Sequence, residues 1–401
     1  MISVGIDVSK GKSTVAIMKP GGEVLVAPFD VTHTQESLSS LVDRLEEFNE
    51  DVRVVLEATG NYHLPITVFL AENRVFVSVV NALRMNKFCS QDLRRAKTDK
   101  KDALKIAAYG ITYWGELTAY SVADETYSQL RILSRQYHQM VSILVKSKVN
   151  LSNLLDQVMP GIKTLLVDSK GNYKLSKFVE RYYHFDNILD MGERRFTSDY
   201  CKWAKKQGYL MNERKAKAIF ASAQEAIPVI SNTSATKLVV LETVRVLLET
   251  EKSRKAILTQ MTEVVKTLPE YSVVLEMGGV GEVLAPRLIA EIGDIRRFNN
   301  HNSLIAYAGI DVPPYQSGKF TATERHISKR GNKYLRKVGY ETMESLIMHQ
   351  RLLEDDPVLQ FIQRKRGEGK AYKKAMIAGF NKFLRIYYAR VSEVYANTAT
   401  Q

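Results

Sequence analysis

Hydrophobic positions near the N-terminus alternate with polar ones in the manner of short strands. Residues 2–6 and 13–18 are rich in β-branched side chains and are separated by a glycine-containing turn. A Pro-Gly-Gly turn at 20–22 precedes a further apolar stretch at 24–26. This pattern predicts a meander of three strands at the start of the chain.

Helical and strand patterns alternate after the meander. Leu38, Leu41 and Leu45 have the spacing of an amphipathic helix within 35–48, and the apolar run at 52–56 is typical of a buried strand. A helix, a strand and a further helix are then predicted over 65–71, over 75–80 and from Thr98 onward. Three strands followed by this alternation give the order of a ribonuclease H-like α/β domain, which we assign to residues 1–115.

Two long segments carry apolar residues at heptad-like spacing. The first covers 124–158 and the second 234–268, and Pro160 and Pro269 follow them. The pattern predicts two long helices that pair as an antiparallel coiled coil, and it fits packing within one chain as well as a dimer interface. Between them, the lysine- and tyrosine-rich stretch 161–230 is predicted to be a small helical insertion within a central helical region, 116–268.

The composition changes again after Pro269. Glycines recur from residue 278 onward, which indicates a separate compact domain over 269–401, and we expect this C-terminal domain to be mostly helical. The glycine-rich run at 277–285 predicts a hairpin between two helices, and it fits either a phosphate contact or a tight turn. The tail at 364–390 interleaves basic and aromatic residues, as nucleic-acid surfaces and the exposed edges of helical cores both do.

The overall composition is that of a multi-domain globular protein with a basic surface. The chain has 401 residues, 45% of them hydrophobic, and 57 Lys and Arg against 44 Asp and Glu give a net charge of +13. This excess favours a polyanionic partner, above all nucleic acid. The two cysteines do not have metal-ligand spacing, and the sequence shows neither a signal peptide nor a long apolar run. We therefore expect a cytoplasmic protein that does not act at a membrane.

Four acidic residues fall at the ends of predicted elements. Asp7 ends the first strand, Glu57 ends the central strand, and the pair Asp99 and Asp102 lies on one face of a helical first turn. Gathered carboxylates repel one another unless a hard cation such as Mg²⁺ neutralises them, and two such ions can clamp a phosphodiester. Taken singly, each is also explained as a turn cap or as a carboxylate that stabilises a helix N-terminus.

Basic residues surround the last acidic pair. Two carboxylates stand among six cations over 94–105, as expected where metal and phosphate backbone meet. A solvated helix face is the alternative. The candidate nucleic-acid contacts in this stretch are Arg94, Arg95, Lys97, Lys100 and Lys101.

Several strings of the sequence resemble one family. Val-Gly-Ile-Asp-Val-Ser-Lys (4–10), Glu-Ala-Thr-Gly-Asn-Tyr (57–62) and Lys-Thr-Asp-Lys-Lys-Asp-Ala (97–103) are similar to the three acidic motifs of the DEDD transposases of the IS110 family. Pro-Tyr-Gln-Ser-Gly-Lys (314–319) and Ile-Ser-Lys-Arg-Gly-Asn-Lys-Tyr-Leu-Arg (327–336) are similar to its C-terminal transposase domain. The resemblance implies an N-terminal domain of the RuvC-like type, which is that of Holliday-junction resolvases.

The resemblance also implies a serine nucleophile in the C-terminal domain. The matching position is Ser317, which would form a covalent phosphoserine link to DNA and so preserve the bond energy for strand exchange. Cations that follow it would stabilise the charge at phosphorus, namely Lys319, Arg325, His326, Lys329 and Arg330. A serine so far along the chain from the carboxylates predicts a composite site.

The partners are implied in the same way. They are Mg²⁺ at Asp7, Glu57, Asp99 and Asp102, double-stranded donor and target DNA, a structured bridge RNA that pairs with both, and a dimer or a tetramer built from dimers. One alternative is a RuvC-like nuclease or Holliday-junction resolvase in which water attacks. A binding protein or a sugar-kinase-like protein with a degenerate site is the other, although the second phosphate-binding glycine signature of a kinase does not follow.

Overall fold

The structure is a computed structural model that describes most of the chain. The described residues are 1–59, 62–89, 98–120, 125–166, 173–313, 316–317, 320–321 and 326–398. They form two compact units, 1–123 and 124–401. Arg94, Arg95, Lys97, Lys319 and Arg325 from the predicted site lie outside the described residues.

The first unit is a five-stranded mixed sheet with helices. Its elements are β1 (Ile2–Val8), β2 (Lys12–Met18), β3 (Val24–Thr32), α1 (Gln35–Glu46), β4 (Val52–Glu57), α2 (Leu64–Glu72), β5 (Val77–Val80), α3 (Ala82–Cys89) and α4 (Asp99–Thr112). The strand order is β3-β2-β1-β4-β5. The first three strands pair antiparallel, whereas β4 and β5 extend the sheet in parallel. The predicted α/β order is confirmed.

Two details of this unit differ from the sequence prediction. Strand β3 is longer than the predicted stretch 24–26, because residues up to Thr32 pair with β2 across an irregular register. Helix α3 was not predicted, since a helix of only eight residues is too short for its periodicity to be distinguished from that of other structures. The length of β3 thus depends on tertiary pairing rather than on local pattern.

Helix α4 packs closely on β1 because small residues line the contact. A Cβ atom at Gly5 would clash with the backbone of Ala103 and Ala107, and one at Gly110 would clash with Ser3. The side chains of Ala103 and Ala107 are fully buried in this contact. The sequence of β1 thus brings the backbone of α4 within direct contact of the sheet.

Two long helices form the frame of the second unit. Helix α5 (Glu125–Val158) and helix α11 (Ser234–Val265) lie side by side. Tyr127, at the start of α5, donates a hydrogen bond to Glu270 at 2.6 Å, and Tyr137 accepts one from Arg254 at 3.0 Å. These contacts make the pair antiparallel, as predicted, and supercoiling as a coiled coil stays a prediction.

The insertion between the long helices is helical. It contains α6 (Ile162–Leu165), α7 (Lys174–Tyr182), α8 (Phe185–Leu189), α9 (Glu193–Lys206) and α10 (Glu213–Glu225). Aromatic side chains such as Phe178, Phe196 and Tyr200 are fully buried and pack against one end of α5 and α11. The insertion therefore has a hydrophobic core of its own, shared with the long helices.

The rest of the second unit is mostly helical. It comprises α12 (Tyr271–Leu275), α13 (Leu284–Ile292), α14 (His301–Ala308), β6 (Gln316–Ser317), β7 (Phe320–Thr321), α15 (Lys333–Met348), α16 (Pro357–Gly367) and α17 (Tyr372–Thr398). The basic tail buries Phe380, Phe383 and Tyr387 in the core and exposes Arg385 and Arg390. Among the described residues, none of the helices combines the length and apolarity that a membrane span requires.

Candidate active site

Asp7 and Glu57 are neighbours at one edge of the sheet. Ile6 of β1 pairs with Leu56 of the parallel strand β4, so each acidic residue is the next one along its strand. Side chains alternate between the faces of a strand, and Gly5 and Val55 face α4. Asp7 and Glu57 therefore lie on the face that α4 covers, and both side chains are half-buried.

Asp99 and Asp102 lie in the first turn of α4. The helix runs antiparallel to β1, because Gly110 contacts Ser3 whereas Ala103 contacts Gly5. Its first turn thus lies toward the end of β1 that carries Asp7. Thr98 caps the helix by accepting a hydrogen bond from the Lys101 backbone N–H at 3.3 Å, which fixes where the turn begins.

The four carboxylates are not gathered around a common centre. Among the described residues, no group of three or more His, Cys, Asp or Glu side chains lies close enough to hold a metal ion. Asp102 is half-buried, whereas Asp99 is exposed.

A further carboxylate, that of Asp30, lies on the same face of the sheet as Asp7, and the sequence analysis did not identify it. Thr14 pairs with Asp7 across β1 and β2 and with Asp30 across β2 and β3, so the three residues share a face. The Thr14 hydroxyl donates to Asp30 Oδ1 at 2.7 Å, and Lys12 Nζ donates to Oδ2 at 3.2 Å. The hydrogen bond from Thr14 is the main reason that the pKa of Asp30 is lowered. Asp30 lies beyond the predicted third strand, 24–26, and its place opposite Thr14 depends on an irregular register.

The basic candidates near α4 are exposed. Lys100 and Lys101 point their charge into solvent at the start of the helix, and Lys100 contributes to the lowered pKa of Asp30, after the hydrogen bonds from Thr14 and Lys12. Two cations and two carboxylates thus share one helical turn. This mixture can bind a phosphate and a cation that neutralises it.

Ser317 lies in a small hairpin. Strands β6 and β7 pair antiparallel, with Gln316 opposite Thr321 and Ser317 opposite Phe320. The connecting residues, Lys319 among them, are outside the described part of the chain. Ser317 is therefore the last described residue of β6 before β7.

The segment that follows the hairpin is fixed on α14. The backbone N–H of Lys329 donates to the Gly309 carbonyl at 3.0 Å, and that of Asn332 donates to the Tyr307 carbonyl at 2.7 Å. A side chain at Gly331 would clash with these backbones. We call this segment, which follows the Ser317 hairpin and contains Lys329 and Arg330, the rim. Both side chains are exposed, so their charges are available to a polyanion.

A buried carboxylate below this rim was not predicted from the sequence. Glu291 is fully buried and accepts hydrogen bonds from Ser134 Oγ at 2.7 Å and from Asn332 Nδ2 at 2.8 Å. Arg135 forms an ion pair with it at 3.1 Å. The Asn332 side chain also caps α15. Glu291 thus connects α5 and α13 to the segment after the hairpin.

The glycine-rich hairpin at 277–285 connects α12 and α13, as predicted. A Cβ atom at Gly279, where φ is 76°, would lie 2.7 Å from the Thr342 carbonyl oxygen. One at Gly278 would clash with the Asp356 carboxylate. These two glycines are required by packing against α15 and the start of α16, which supports the tight-turn interpretation of the run.

Comparison with known families gives two matches. The model of DEDD transposases of IS110, described as "Transposase", matches residues 4–160. A second model, described as "Transposase IS116/IS110/IS902 family", matches residues 271–356. The first match contains all four predicted carboxylates, and the second contains Ser317.

Individual relatives match over most of the chain. The "Insertion element IS110 uncharacterized 43.6 kDa protein" of Streptomyces coelicolor is 23% identical to this chain. The alignment covers 98% of this chain and 93% of the relative. The "Pilin gene-inverting protein" of Moraxella bovis is 22% identical over 85% of this chain and 80% of its own. A solved structure of Thermus thermophilus RuvC aligns with a TM-score of 0.24 and 15% identity, covering 30% of this chain and 98% of that one.

Proposed function

The chain belongs to the IS110 family of insertion-sequence transposases and is an enzyme that recombines DNA, and from this premise we propose that Ser317 is its nucleophile. The support is the position of Ser317 at a hairpin end, followed by a rim that carries Lys329 and Arg330. A serine hydroxyl is a weak nucleophile at neutral pH and needs charge stabilisation at the phosphate. The rim cations supply such charge.

The attack is balanced in atoms and charge. The Ser317 hydroxyl loses its proton to a base or to water as its oxygen bonds to phosphorus, and the bond from phosphorus to the deoxyribose oxygen breaks. The released alkoxide takes up a proton and becomes a free hydroxyl. Rejoining reverses the step with a hydroxyl of another strand, so no phosphodiester energy is lost.

We further propose that Asp7, Glu57, Asp99 and Asp102 hold divalent cations, specifically Mg²⁺. The donor set fits, because all four side chains offer only carboxylate oxygens, which Mg²⁺ prefers. Asp7 and Glu57 are already adjacent on one face, and the first turn of α4 is the element next to them. A bound cation would polarise the phosphate and remove the mutual repulsion of the carboxylates.

A denaturing gel tests the nucleophile. End-labelled duplex DNA is incubated with Mg²⁺ and with the full-length protein as it is purified from cells, together with any RNA it carries. We expect the parental protein and the control Ser272→Ala, which changes an exposed serine, to shift label into a protein-linked band. We expect Ser317→Ala to bind DNA and give no such band. Free DNA ends without linked protein would instead establish water attack, as in a resolvase.

A guide RNA is part of the proposal. The net charge of +13 favours polyanionic partners, which include RNA as well as DNA. We propose that a structured bridge RNA pairs with donor and target DNA, so that base pairing selects the sites and the protein holds backbones. Sequencing of RNA that copurifies with the protein, matched to DNA flanking its gene, tests this step.

The proposed enzyme acts as a homo-oligomer. Both long helices expose apolar side chains that their pairing leaves uncovered, among them Val145 and Val149 on α5 and Val239 and Val246 on α11, with exposed fractions of 48–56%. Exposed apolar stripes of this kind are typical of association surfaces. Light scattering should give a dimer or a tetramer, and a lower mass for Val145→Asp with Val149→Asp.

A further inference from the structure

Helix α9 of the insertion exposes a basic face bordered by two open grooves. The grooves have volumes of about 630 and 550 Å³. Ser198 and Lys202, one turn apart on α9, line both of them, so the grooves meet along this helix. The insertion falls between the two ranges that the family models match, 4–160 and 271–356. The family match therefore assigns no function to the surface of the insertion.

The first groove contains one acidic side chain, and that charge is neutralised. Asp199 accepts hydrogen bonds from Arg181 Nη2 at 2.7 Å and Arg181 Nε at 3.0 Å, and a third from Tyr182 at 2.7 Å. This bidentate pair occupies both carboxylate oxygens. The remaining charged side chains of the groove, Arg195 and Lys202, leave it positive.

The second groove also has more cations than acids. Arg194, Lys202, Lys205 and Lys217 line it, against Glu193 and Glu213. Neither these four cations nor Arg195 form an ion pair with another residue in the described ranges of the chain. Arg195, Lys202 and Lys205 are all exposed on α9. Cations that repel one another on one helix face raise the local concentration of a polyanion.

The spacing of these cations suits a phosphate backbone. Arg195 and Lys202 are two turns apart, which is about 10 Å along a helix axis. One strand of a duplex presents a phosphate about every 3.4 Å of its axis, so this distance spans about three phosphates. Lysine and arginine contacts to phosphate position a duplex without reading its sequence.

We propose that the basic face of α9 binds the phosphate backbone of duplex DNA beside the recombination site, independently of base sequence. The occupant is DNA because DNA is the substrate of this family's reaction, and the proposal does not depend on Ser317 or on a guide RNA. The surface adds affinity and orientation for the duplex outside the residues that react. It gives the insertion a role in holding DNA.

A salt titration with full-length protein tests this surface. The triple variant Arg195→Gln, Lys202→Gln, Lys205→Gln is compared with Lys252→Gln, Lys255→Gln, Lys266→Gln. The control removes the same charge from α11 and from Lys266, the residue that caps its C-terminus, and each of the three lysines is paired with a glutamate at 3.2–3.8 Å. Fluorescence anisotropy with a long duplex of unrelated sequence gives the slope of log affinity against log salt. The slope is negative, and we expect it to become less steep by about 3 in the α9 variant. The slope of the control should stay near the parental value.

Further arms make each outcome decisive. Thermal unfolding followed by circular dichroism checks that the variants fold. The single variant Lys202→Gln, at an exposed position, should make the salt slope less steep by about 1. The assay needs no Mg²⁺ and no cleavage, so it separates failure of this surface from failure of the nucleophile. An unchanged slope overturns the proposal. So does a variant that loses affinity for duplex RNA alone, since RNA would then be the occupant.

Discussion

Asn332 Nδ2 donates a hydrogen bond to the carboxylate of Glu291 at 2.8 Å, and the Asn332 side-chain oxygen accepts from the Tyr334 backbone N–H at 2.9 Å. One side chain therefore joins a buried acid on α13 to the first turn of α15. Because Arg135 also pairs with Glu291, the charge of this acid is compensated inside the core. The contact fixes the rim that follows the Ser317 hairpin.

Removing the Glu291 carboxylate should strongly destabilise the second unit. Glu291→Ala leaves Arg135, Ser134 and Asn332 without their buried acceptor, at a cost of about 3 kcal/mol. Urea denaturation measures the change. The control Glu249→Ala removes an exposed acid whose pair with Lys252 is 3.7 Å long, and should change stability by less than about 0.5 kcal/mol. Equal effects of the two variants would contradict the role of Glu291.

The same residues show what the sequence can and cannot predict. The order of the elements along the first unit and both long helices follow from local periodicity, and the structure confirms them. Glu291 was missed because its partners, Ser134, Arg135 and Asn332, are far away in the sequence. Asp30 was missed because its place beside Thr14 depends on a register that shifts between Val15 and Ile17. Long-range pairing of this kind leaves no periodic signal.

The contact between α4 and β1 gives a second prediction. Gly5→Ala introduces a Cβ atom that clashes with backbone atoms of Ala103 and Ala107, and backbone cannot rotate away as a side chain can. We expect a loss of about 1–3 kcal/mol in stability and reduced DNA cleavage, because α4 carries Asp99 and Asp102. Chemical denaturation and a cleavage assay measure the two effects.

Gly115→Ala is the matched control for this substitution. A Cβ atom at Gly115 meets no other atom within 4 Å, and this glycine does not have a positive φ. The stability and the cleavage activity of the Gly115→Ala variant should stay at the parental level. If Gly5→Ala were equally silent, the close packing of α4 on β1 would not be what positions the acidic pair.

His138 gives a prediction on pH. Burial, and after it the nearby positive charges of Arg287, Lys337 and Arg135, together lower the pKa of His138 to about 3. Neither ring nitrogen has a hydrogen-bond partner among the described residues. The unfolded chain takes up this proton near pH 6.5, whereas the folded chain resists it. Stability from this group is thus complete above about pH 6.5 and is lost as the pH falls toward 3, by up to about 1.4 kcal/mol per pH unit.

The variant His138→Phe isolates this group. It keeps an aromatic ring against Tyr334, whose ring centre is 4.9 Å away, and removes the titration. Urea denaturation between pH 6.5 and 4 should give a flatter decline for the variant than for the parental protein. His349→Gln, at an exposed histidine, should leave the decline unchanged. Parallel curves for the parental protein and His138→Phe would show that His138 does not resist protonation.

The acidic pair on α4 allows a test that separates catalysis from helix stability. Asp99 also has a structural explanation, since a carboxylate in the first turn stabilises a helix by about 0.3–1 kcal/mol. Glu36 lies in the first turn of α1, one position further from the cap than Asp99 is in α4, and it is exposed like Asp99. Glu36→Ala therefore reproduces the structural loss without touching the proposed metal site.

We expect Asp99→Ala and Asp102→Ala to lose at least about 100-fold in Mg²⁺-dependent strand cleavage, as expected when a metal site loses a ligand. Stability should fall by no more than in Glu36→Ala, since each substitution also relieves repulsion among the carboxylates. Cleavage rates and urea denaturation are measured on all three variants. Cleavage at the parental rate by Asp102→Ala would exclude it from the metal site, and a loss in Asp99→Ala matched by Glu36→Ala would leave Asp99 with only its helical role.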